Sequence, residues 1–311
     1  MAGVSPAPAK RRSVRRDSES SQDSTPLKFI PTMQPKLVEK PPSGGGWLHE
    51  IKYDGYRVQL HVNGSTITTY TRNGHDWTDK FQPIAKTARA IPAHQAIVDG
   101  EICVQDEKGV TDFSALPSAI KSRPQDLVFF AFDLLHLDGE DLRPAPLEER
   151  RAKLRYLIDQ VPGSRIVMSD EYDGDGAAFF ELVSSHNLEG MVSKRKGSRY
   201  WSDTSETWYK TKCWTTAIMQ VIGIERGADN VPYALLADET GYKGTAFIGL
   251  PRSMRTTFWR YVEAKTAAKA PVVGLKRNAS WLRPGMTARV RYLKGSDKLR
   301  HAVIKGIDFE S

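Results

Sequence analysis

A lysine, an aspartate, a glycine and an arginine stand close together in the string Lys52-Tyr53-Asp54-Gly55-Tyr56-Arg57. A lysine amine can attack phosphorus when it is neutral, whereas most lysines are solvated surface cations. Because free lysine titrates near pH ~10.4, a nucleophilic lysine needs other cations nearby to favour its neutral form. The adjoining Asp54-Gly55 offers a tight turn and a close backbone approach for a ligand. The four fixed positions of Lys-x-Asp-Gly-x-Arg rarely arise by chance, so the pattern favours a nucleophilic role for Lys52 over that of a surface cation.

A predicted β-hairpin directly follows this lysine. Residues 58–62 alternate between apolar and polar side chains, and Asn63-Gly64 then precedes a second alternating run at 65–71. Asn-Gly between two alternating runs is a strong signal for a two-residue hairpin turn. We therefore expect Lys52 to stand on a rigid support at the start of a strand pair.

Two carboxylates lie on the next predicted strand, at 96–104. Asp99 and Glu101 share one face of that strand, because positions i and i+2 of a strand point the same way. The ordinary alternative to a functional role for Asp99-Gly100-Glu101 is a strand bulge.

Charged residues also mark two later strands. Glu189 and Lys194 lie on a predicted strand at 188–195. Lys210 and Lys212 point to one face of a strand at 207–212. A cap or ion pair at Glu189 and a solvated face for the two lysines are the ordinary alternatives.

In order and in type, these residues resemble the successive nucleotidyltransferase motifs of ATP-dependent DNA ligases. The string at 47–57 is most similar to the ligase module of the bacterial ligase D family, and the resemblance extends over 29–307. The other motifs that carry it are Arg72-Asn73-Gly74, Asp99-Gly100-Glu101, Phe132-Asp133, Glu189-Gly190-Met191-Val192-Ser193-Lys194 and Trp208-Tyr209-Lys210-Thr211-Lys212.

The resemblance implies an enzyme that joins nicks or ends of duplex DNA through AMP bound covalently to Lys52. It implies ATP as the nucleotide and Mg²⁺ (or Mn²⁺) as the metal, held by Glu101 and Glu189. Phe132 would offer a flat apolar face to adenine, and Glu50 would meet the adenine edge. The residues expected to bind ATP are Glu50, Ile51, Arg57, Arg72, Glu101, Phe132, Lys194, Lys210 and Lys212.

The same resemblance implies a role in DNA repair by non-homologous end joining, with a Ku-type end-binding protein and a separate repair polymerase as candidate partners. Two other functions stay open on the residues. One is an RNA ligase or guanylyltransferase of the same superfamily. The other is a catalytically weakened DNA-binding platform that keeps the fold.

The expected fold class is α+β, with a nucleotidyltransferase (adenylation) domain built on antiparallel sheets and a C-terminal OB-fold β-barrel. The expected boundaries are a disordered basic tail at 1–26, the adenylation domain at 27–213 and the OB domain at 214–311. Apolar spacing predicts helices at 79–90, 147–158, 177–186 and 252–269. Further strands are predicted at 126–137, 165–169, 217–224, 233–237, 245–250, 288–293 and 300–305.

Composition fits a polyanionic partner and an intracellular setting. The net charge is +8 with a pI near 9.3, and the 311 residues are 26% charged and 40% hydrophobic. Two cysteines, Cys103 and Cys213, without a spacing pattern imply neither a disulfide framework nor a zinc site. We expect no membrane span and a location in the cytoplasm with the bacterial nucleoid. The basic run at 10–16 is either a DNA-binding arm or a solvated extension.

The C-terminus departs from the family pattern. Ligases of this type usually end their OB domain in a basic motif that orients the departing pyrophosphate. Residues 299–307 resemble the strand that leads into that motif, but the chain closes with Asp308-Phe309-Glu310-Ser311, which contains no lysine or arginine. Arg300 and Lys305 are therefore the candidates for contacts with pyrophosphate or DNA.

Overall fold

The structure is a computed structural model that describes residues 27–295 and 298–309. The predicted tail at 1–26, including the basic run at 10–16, lies outside the described residues, as do Glu310 and Ser311. Within the described ranges the chain forms three β-sheets with five α-helices packed against them. The helices are α1 (Gln82–Ala88), α2 (Leu116–Ser122), α3 (Leu147–Asp159), α4 (Gly176–Ser185) and α5 (Arg252–Ala264).

The first sheet has four strands in the order β1-β10-β9-β2. Strand β1 runs parallel to β10, and the other pairs are antiparallel. Val192 of β9 lies between Glu50 of β2 and Lys210 of β10, so these three side chains share one face. The strands are β1 (Met33–Val38), β2 (Trp47–Ile51), β9 (Gly190–Arg195) and β10 (Asp203–Lys212).

The second sheet has the order β4-β3-β5-β6-β7, with β8 parallel to β6. Its hairpin turns at Asn63-Gly64, where Gly64 takes φ +58, so the predicted hairpin is confirmed. A hydrophobic core forms where α1, α2 and α3 cover this sheet. The strands are β3 (Tyr56–Asn63), β4 (Thr66–Thr71), β5 (Gln95–Cys103), β6 (Val128–Leu137), β7 (Glu140–Asp141) and β8 (Ile166–Met168).

A β-bulge interrupts the pairing of β5 with β6 at the positions that matter most for the site. Asp99 pairs with Asp133 and Gly100 pairs with Ala131, so Phe132 is the extra residue on β6. A bulge bends its strand and redirects the side chain of the extra residue. The bulge considered for Asp99-Gly100-Glu101 therefore exists, with the extra residue on the partner strand.

The first and second sheets are joined by a second, smaller core. Met33 and Leu48 from the first sheet meet Ile97 and Leu135 from the second, and Trp208 is buried with them. These side chains fix the spacing between the two sheets, and any cavity between them has rigid walls.

The third sheet contains the strands after residue 213. They follow the order β12-β13-β17-β16-β11-β15-β14, and β11 also pairs with β12. Strands β13 and β17 meet at a single pair, Phe247 with Val303, so a closed OB barrel stays a prediction. The strands are β11 (Trp214–Arg226), β12 (Pro232–Asp238), β13 (Gly241–Phe247), β14 (Thr266–Ala267), β15 (Ser280–Leu282), β16 (Met286–Leu293) and β17 (Val303–Phe309).

Several elements differ from the sequence prediction. The predicted helix at 252–269 ends at Ala264, because Thr266 and Ala267 pair with β15 instead. The strand expected from Arg300 begins at Val303, since His301 has φ +50 and cannot continue extended backbone. Helix α2 was not predicted. Across the described ranges, no helix has both the length and the apolar character needed to cross a bilayer.

Gly100 should be intolerant of a side chain. A Cβ there would lie 2.4 Å from Phe129 and 2.6 Å from the Phe130 carbonyl oxygen. We expect Gly100→Ala to lower the free energy of unfolding by about 1–3 kcal/mol through overpacking. Urea denaturation measures this, with Gly45→Ala as the matched control, because a Cβ at Gly45 meets no atom within 4 Å. Equal stability of the two variants would contradict this packing.

Candidate active site

A cavity of about 820 Å³ lies between the first and second sheets, within the range of roughly 300–1,000 Å³ that ligand pockets occupy. Side chains from both sheets line it, together with Arg300 and His301 from the loop between β16 and β17. The sequence-predicted residues in its lining are Glu50, Ile51, Lys52, Arg57, Arg72, Glu101, Phe132, Glu189, Lys194, Lys210, Lys212 and Arg300. Lys305 does not line it.

Lys52 follows the last residue of β2 and is held by its backbone. Its amide donates to the Gly190 carbonyl at 2.9 Å, and its Nζ lies 2.5 Å from Glu189 Oε2. The lysine side chain is 23% exposed and the glutamate 4%, so the amine reaches the cavity while its counter-ion is buried. A Cβ on Gly55 would lie 2.2 Å from the Ile102 carbonyl oxygen. The close approach at Gly55 is therefore to protein backbone, which locks the lysine loop onto β5.

Glu101 faces the same cavity in an unfavourable environment for its charge. Burial raises its pKa to about 7, although Lys52 and Arg57 act in the opposite direction. Glu189 and Asp99 raise the pKa further through like-charge repulsion. A carboxylate in this state gains most when a cation enters the cavity.

Lys210 and Lys212 line the cavity from β10, as the alternation of that strand predicts for a shared face. Burial lowers the pKa of Lys210, and the neighbouring cations Lys52, Lys212 and Arg72 lower it further. Burial also lowers the pKa of Lys212, while Glu189 opposes that change. Neither lysine has an ion pair with any of the described residues, so both are available to an anionic ligand.

Arg57 is fixed on two sides before any ligand binds. Its guanidinium donates to both oxygens of the buried Asp99, at 3.1 and 2.7 Å, and to the Met33 carbonyl at 2.6 Å. The Tyr200 hydroxyl donates to Asp99 at 2.7 Å. The guanidinium lies 5.3 Å from the Phe132 ring centroid, so it also helps to define the apolar end of the cavity.

That apolar end is bounded by Phe132 and Trp208, with Lys194 between their rings. Lys194 Nζ lies 4.5 Å from the first ring centroid and 4.4 Å from the second. It pairs with Glu50 at 2.7 Å, and the glutamate is 2% exposed. Burial lowers the pKa of Lys194, and Glu50 opposes this. An aromatic face and a fixed carboxylate edge suit a flat heterocycle that carries a donor.

Sequence reasoning missed Arg151 of α3. It is 2% exposed, does not line the cavity, and donates to Glu50 Oε1 at 2.7 Å. The sequence contained a signal for this burial. Arg150 and Arg151 lie between Leu147 and Leu154, each three or four residues from both leucines, and so share the apolar face of the helix. Charged residues at such positions are buried with partners.

Sequence reasoning also missed the partner of Arg300. Its guanidinium forms an ion pair with Asp54 of the lysine loop and lies 4.6 Å from the Phe113 ring centroid. His301 beside it also lines the cavity. The third sheet thus contributes a cation to the wall of a cavity that the first two sheets build.

The combined geometry indicates a site for a nucleotide. One end presents an aromatic face and a buried carboxylate, and the other presents several cations around Lys52. Preorganised cations stabilise charge that develops on phosphoryl oxygens. An amine placed among them can attack phosphorus.

Comparison with known proteins agrees with this geometry. Residues 32–212 match the family described as the ATP dependent DNA ligase domain. The multifunctional non-homologous end joining protein LigD of Pseudomonas aeruginosa is 31% identical over 325 residues, covering 98% of this chain and 38% of that protein. LigD of Mycolicibacterium smegmatis is 31% identical over 207 residues, covering 65% of this chain and 26% of that protein. The chain thus spans well under half the length of these relatives.

Two solved structures share the fold. The ligase domain of Mycobacterium tuberculosis LigD has a TM-score of 0.55 at 25% identity, covering 89% of this chain and 94% of that one. A mycobacterial DNA ligase D complexed with ATP and MES has a TM-score of 0.54 at 25% identity, covering 89% and 95%.

The raised pKa of Glu101 predicts how stability depends on pH. The folded state favours the neutral carboxyl of Glu101, so ionisation of this group destabilises the fold. This destabilisation is absent below pH ~4.5, grows as the pH rises, and is complete above pH ~7. Glu101→Gln should therefore raise the free energy of unfolding at pH 8 by up to about 3 kcal/mol, and the gain should vanish near pH 4. Urea titrations across this range measure it.

The exposed Glu107 gives the control for this experiment, because Glu107→Gln removes a carboxylate of the same kind from a surface loop. A pH-independent effect of Glu101→Gln, or the same profile for both variants, would contradict the assigned environment of Glu101.

Proposed function

Because the chain belongs to the ATP-dependent DNA ligase family, we propose that it joins nicks or ends of duplex DNA through a lysyl-AMP intermediate on Lys52, in repair by non-homologous end joining. The observation that carries this proposal is the position of the Lys52 amine. It lies in a cavity between two sheets, beside a buried carboxylate and within a ring of cations.

In the first step the Lys52 amine attacks the α-phosphorus of ATP. An N–P bond forms, the bond from the α-phosphorus to the bridging oxygen breaks, and pyrophosphate leaves while the amine loses its proton. Lys210 and Lys212 stabilise the growing negative charge on the phosphoryl oxygens, because both face the cavity without an ion pair to any described residue. Arg57 and Arg72 bind ribose or phosphate.

Adenine occupies the apolar end of the cavity. Phe132 supplies the face for stacking, Glu50 accepts from the exocyclic amine, and Ile51 and Lys194 complete the walls. In the later steps AMP moves to the 5′-phosphate of the DNA, and the 3′-hydroxyl then attacks that phosphate and releases AMP.

Glu101 and Glu189 suit a Mg²⁺ or Mn²⁺ ion. Both line the cavity. A cation that enters would offset the cost of the buried negative charge that raises the pKa of Glu101. No group of three or more candidate ligands forms in the described part of the chain, so phosphate oxygens and water would complete the shell. The bound ion would neutralise phosphate charge.

The chain comprises two domains in this proposal, an adenylation domain at 27–213 and an OB-fold domain at 214–311. In support, each hydrophobic cluster of the described residues lies wholly on one side of Cys213. Duplex DNA is the substrate, and the net charge of +8 favours it. A Ku-type end-binding protein and a separate repair polymerase are the proposed partners.

Lys52→Ala should abolish the covalent adduct, because no other lysine of the described residues has the same place beside Glu189. Incubation with [α-³²P]ATP or [α-³²P]GTP followed by a denaturing gel detects the adduct and identifies the base. Lys52→Arg should fail as well, since a guanidinium stays protonated. Lys36→Ala is the matched control, because Lys36 is exposed on β1 and pairs with Glu206. Wild-type labelling of Lys52→Ala would refute the assignment, and labelling by GTP alone would indicate a guanylyltransferase.

Arg300→Ala should slow adenylation of Lys52 by roughly a hundred- to a thousandfold, the usual cost of one preorganised donor. Arg300 reaches the cavity, so it is the residue placed to orient pyrophosphate, whereas Lys305 is exposed on β17. Pyrophosphate leaves only in the first step, so a nick that already carries 5′-AMP should be sealed at a comparatively unchanged rate. Single-turnover measurements of the two steps separate these effects.

Lys305→Ala is the control for this comparison and should leave both rates unchanged. Fast adenylation that neither substitution alters would show that Arg300 has no part in the first step. Equal slowing of both steps by Arg300→Ala would instead place its role in docking the two domains, because DNA takes no part in the first step.

A further inference from the structure

Behind the apolar end of the cavity, one buried arginine connects three segments of chain. Arg151 Nη1 donates to Glu50 Oε1 at 2.7 Å and to the Phe132 carbonyl at 2.9 Å. Its Nη2 donates to the Ser169 carbonyl at 2.8 Å, and its Nε donates to Glu171 Oε2 at 2.5 Å. The planar guanidinium therefore fixes β2, β6 and the segment after β8 relative to one another.

The contact with Phe132 is made necessary by the bulge. Phe132 is skipped in the register of β6 with β5, so its carbonyl stands outside the regular pairing. A buried carbonyl without a partner is costly, and Arg151 supplies the partner together with Lys194 at 3.3 Å. The direction in which the Phe132 ring projects thus depends on the arginine behind it.

The contact with Glu50 determines which lone pairs remain for a ligand. A carboxylate has about four acceptor positions. Oε1 receives Arg151 and Lys194, both at 2.7 Å, and Oε2 receives the Ser169 hydroxyl at 3.1 Å. One acceptor position of Oε2 stays open, at a fixed orientation.

An acceptor at that position distinguishes the two purines. Adenine presents an exocyclic amine that donates a hydrogen bond, whereas guanine presents a carbonyl oxygen that a carboxylate repels. Discrimination requires that the carboxylate cannot rotate to avoid the wrong base, and that the stacking ring keeps the base in register with it.

We propose that Arg151 is a positioning residue of the purine pocket, which holds the Glu50 carboxylate and the bulged Phe132 backbone in one fixed relation and so maintains the preference for ATP over GTP. This inference rests on the proposed function, because it assigns the apolar end of the cavity to adenine. Arg151 acts through Glu50 and Phe132, since its own side chain does not reach the cavity.

The test measures binding without reaction. The α,β-methylene analogues of ATP and GTP cannot be cleaved at the α-phosphorus, and calorimetry gives the Kd of each for the full chain. In Arg151→Met the affinity for the ATP analogue should fall about tenfold or more, because a hydrogen bond to a charged group is misplaced. The affinity for the GTP analogue should change less, so the ratio of the two Kd values moves toward one.

Two controls separate positioning from stability. Arg155→Met removes an arginine one turn further along α3, where the side chain is 43% exposed and 3.7 Å from Glu171. Arg150→Met removes the adjacent buried arginine, which pairs with Asp133. The first should change neither the melting temperature nor the Kd ratio, and the second should lower the melting temperature while keeping the ratio. If Arg150→Met moved the ratio of the two Kd values toward one as far as Arg151→Met does, Arg151 would have only a structural role.

Arg151→Lys provides the conservative variant and serves in place of Arg151→Met if that protein does not fold. It keeps the cation but cannot reach all four acceptors, so the ATP concentration for half-maximal adduct formation should rise while the maximal single-turnover rate stays near the wild-type value. An unchanged Kd ratio in the Arg151 variants would overturn the proposal.

The outcome for the wild-type protein distinguishes the two levels of inference. Preferential binding of the ATP analogue without any adduct from ATP would refute the proposed function alone. Adduct formation with a Kd ratio insensitive to Arg151 would refute the positioning role alone. Equal binding of both analogues, or binding of neither, would overturn the positioning role, because no preference would exist for Arg151 to maintain.

Discussion

The site depends on one physical constraint, that a charge removed from water must have a partner at hydrogen-bonding distance. The walls of the cavity contain several such charges. Arg57 pairs with Asp99, Glu50 pairs with Arg151 and Lys194, and Lys52 pairs with Glu189. Each pair joins residues distant in the sequence, so it forms only when the neighbouring strands, or β2 and α3 for Glu50 with Arg151, have come together. The same contacts that satisfy buried charge therefore also orient the side chains that would contact a nucleotide.

The charged side chains are paired at the apolar end of the cavity and less completely paired at the other end. This difference matches the kind of group that each end suits. At the apolar end Glu50 has three donors, and an error in its orientation would leave a buried ion unsatisfied. At the other end Lys210 and Lys212 have no ion pair among the described residues, and burial together with the neighbouring Lys52 lowers the pKa of both. A rigid end suits selection of a base. An end with unneutralised positive charge suits phosphates, which supply the missing counter-charge.

Local patterns were enough to predict the framework. Asn63-Gly64 predicted the hairpin, and alternation predicted that Lys210 and Lys212 share a face, because both features depend on short-range geometry. The bulge at Phe132 could not be predicted, since it depends on how β6 aligns with β5 over a long loop. Arg300 was expected on a strand and lies in a loop, because pairing partners far along the chain decide where β17 begins. The spacing around Arg151 held a signal for burial, but its partners come from three segments that only the tertiary structure brings together.

The two halves of the chain are connected through a single residue, Cys213. Strand β10 ends at Lys212 and β11 begins at Trp214, so only Cys213 separates the strand that carries two cavity lysines from the third sheet. Within the described residues no hydrophobic cluster spans this junction. Polar contacts cross it from Lys294 to the Ser184 carbonyl at 3.0 Å and from Arg300 to Asp54, and the Arg300 guanidinium also lies over the Phe113 ring. Polar contacts of this kind are individually weak when water can replace them. The apolar end of the cavity is thus built into a hydrophobic core, whereas the wall that contains Arg300 is held mainly by polar contacts that water or a polyanion can replace. This difference fits a reaction in which one nucleotide is bound first and duplex DNA must reach the same lysine afterwards.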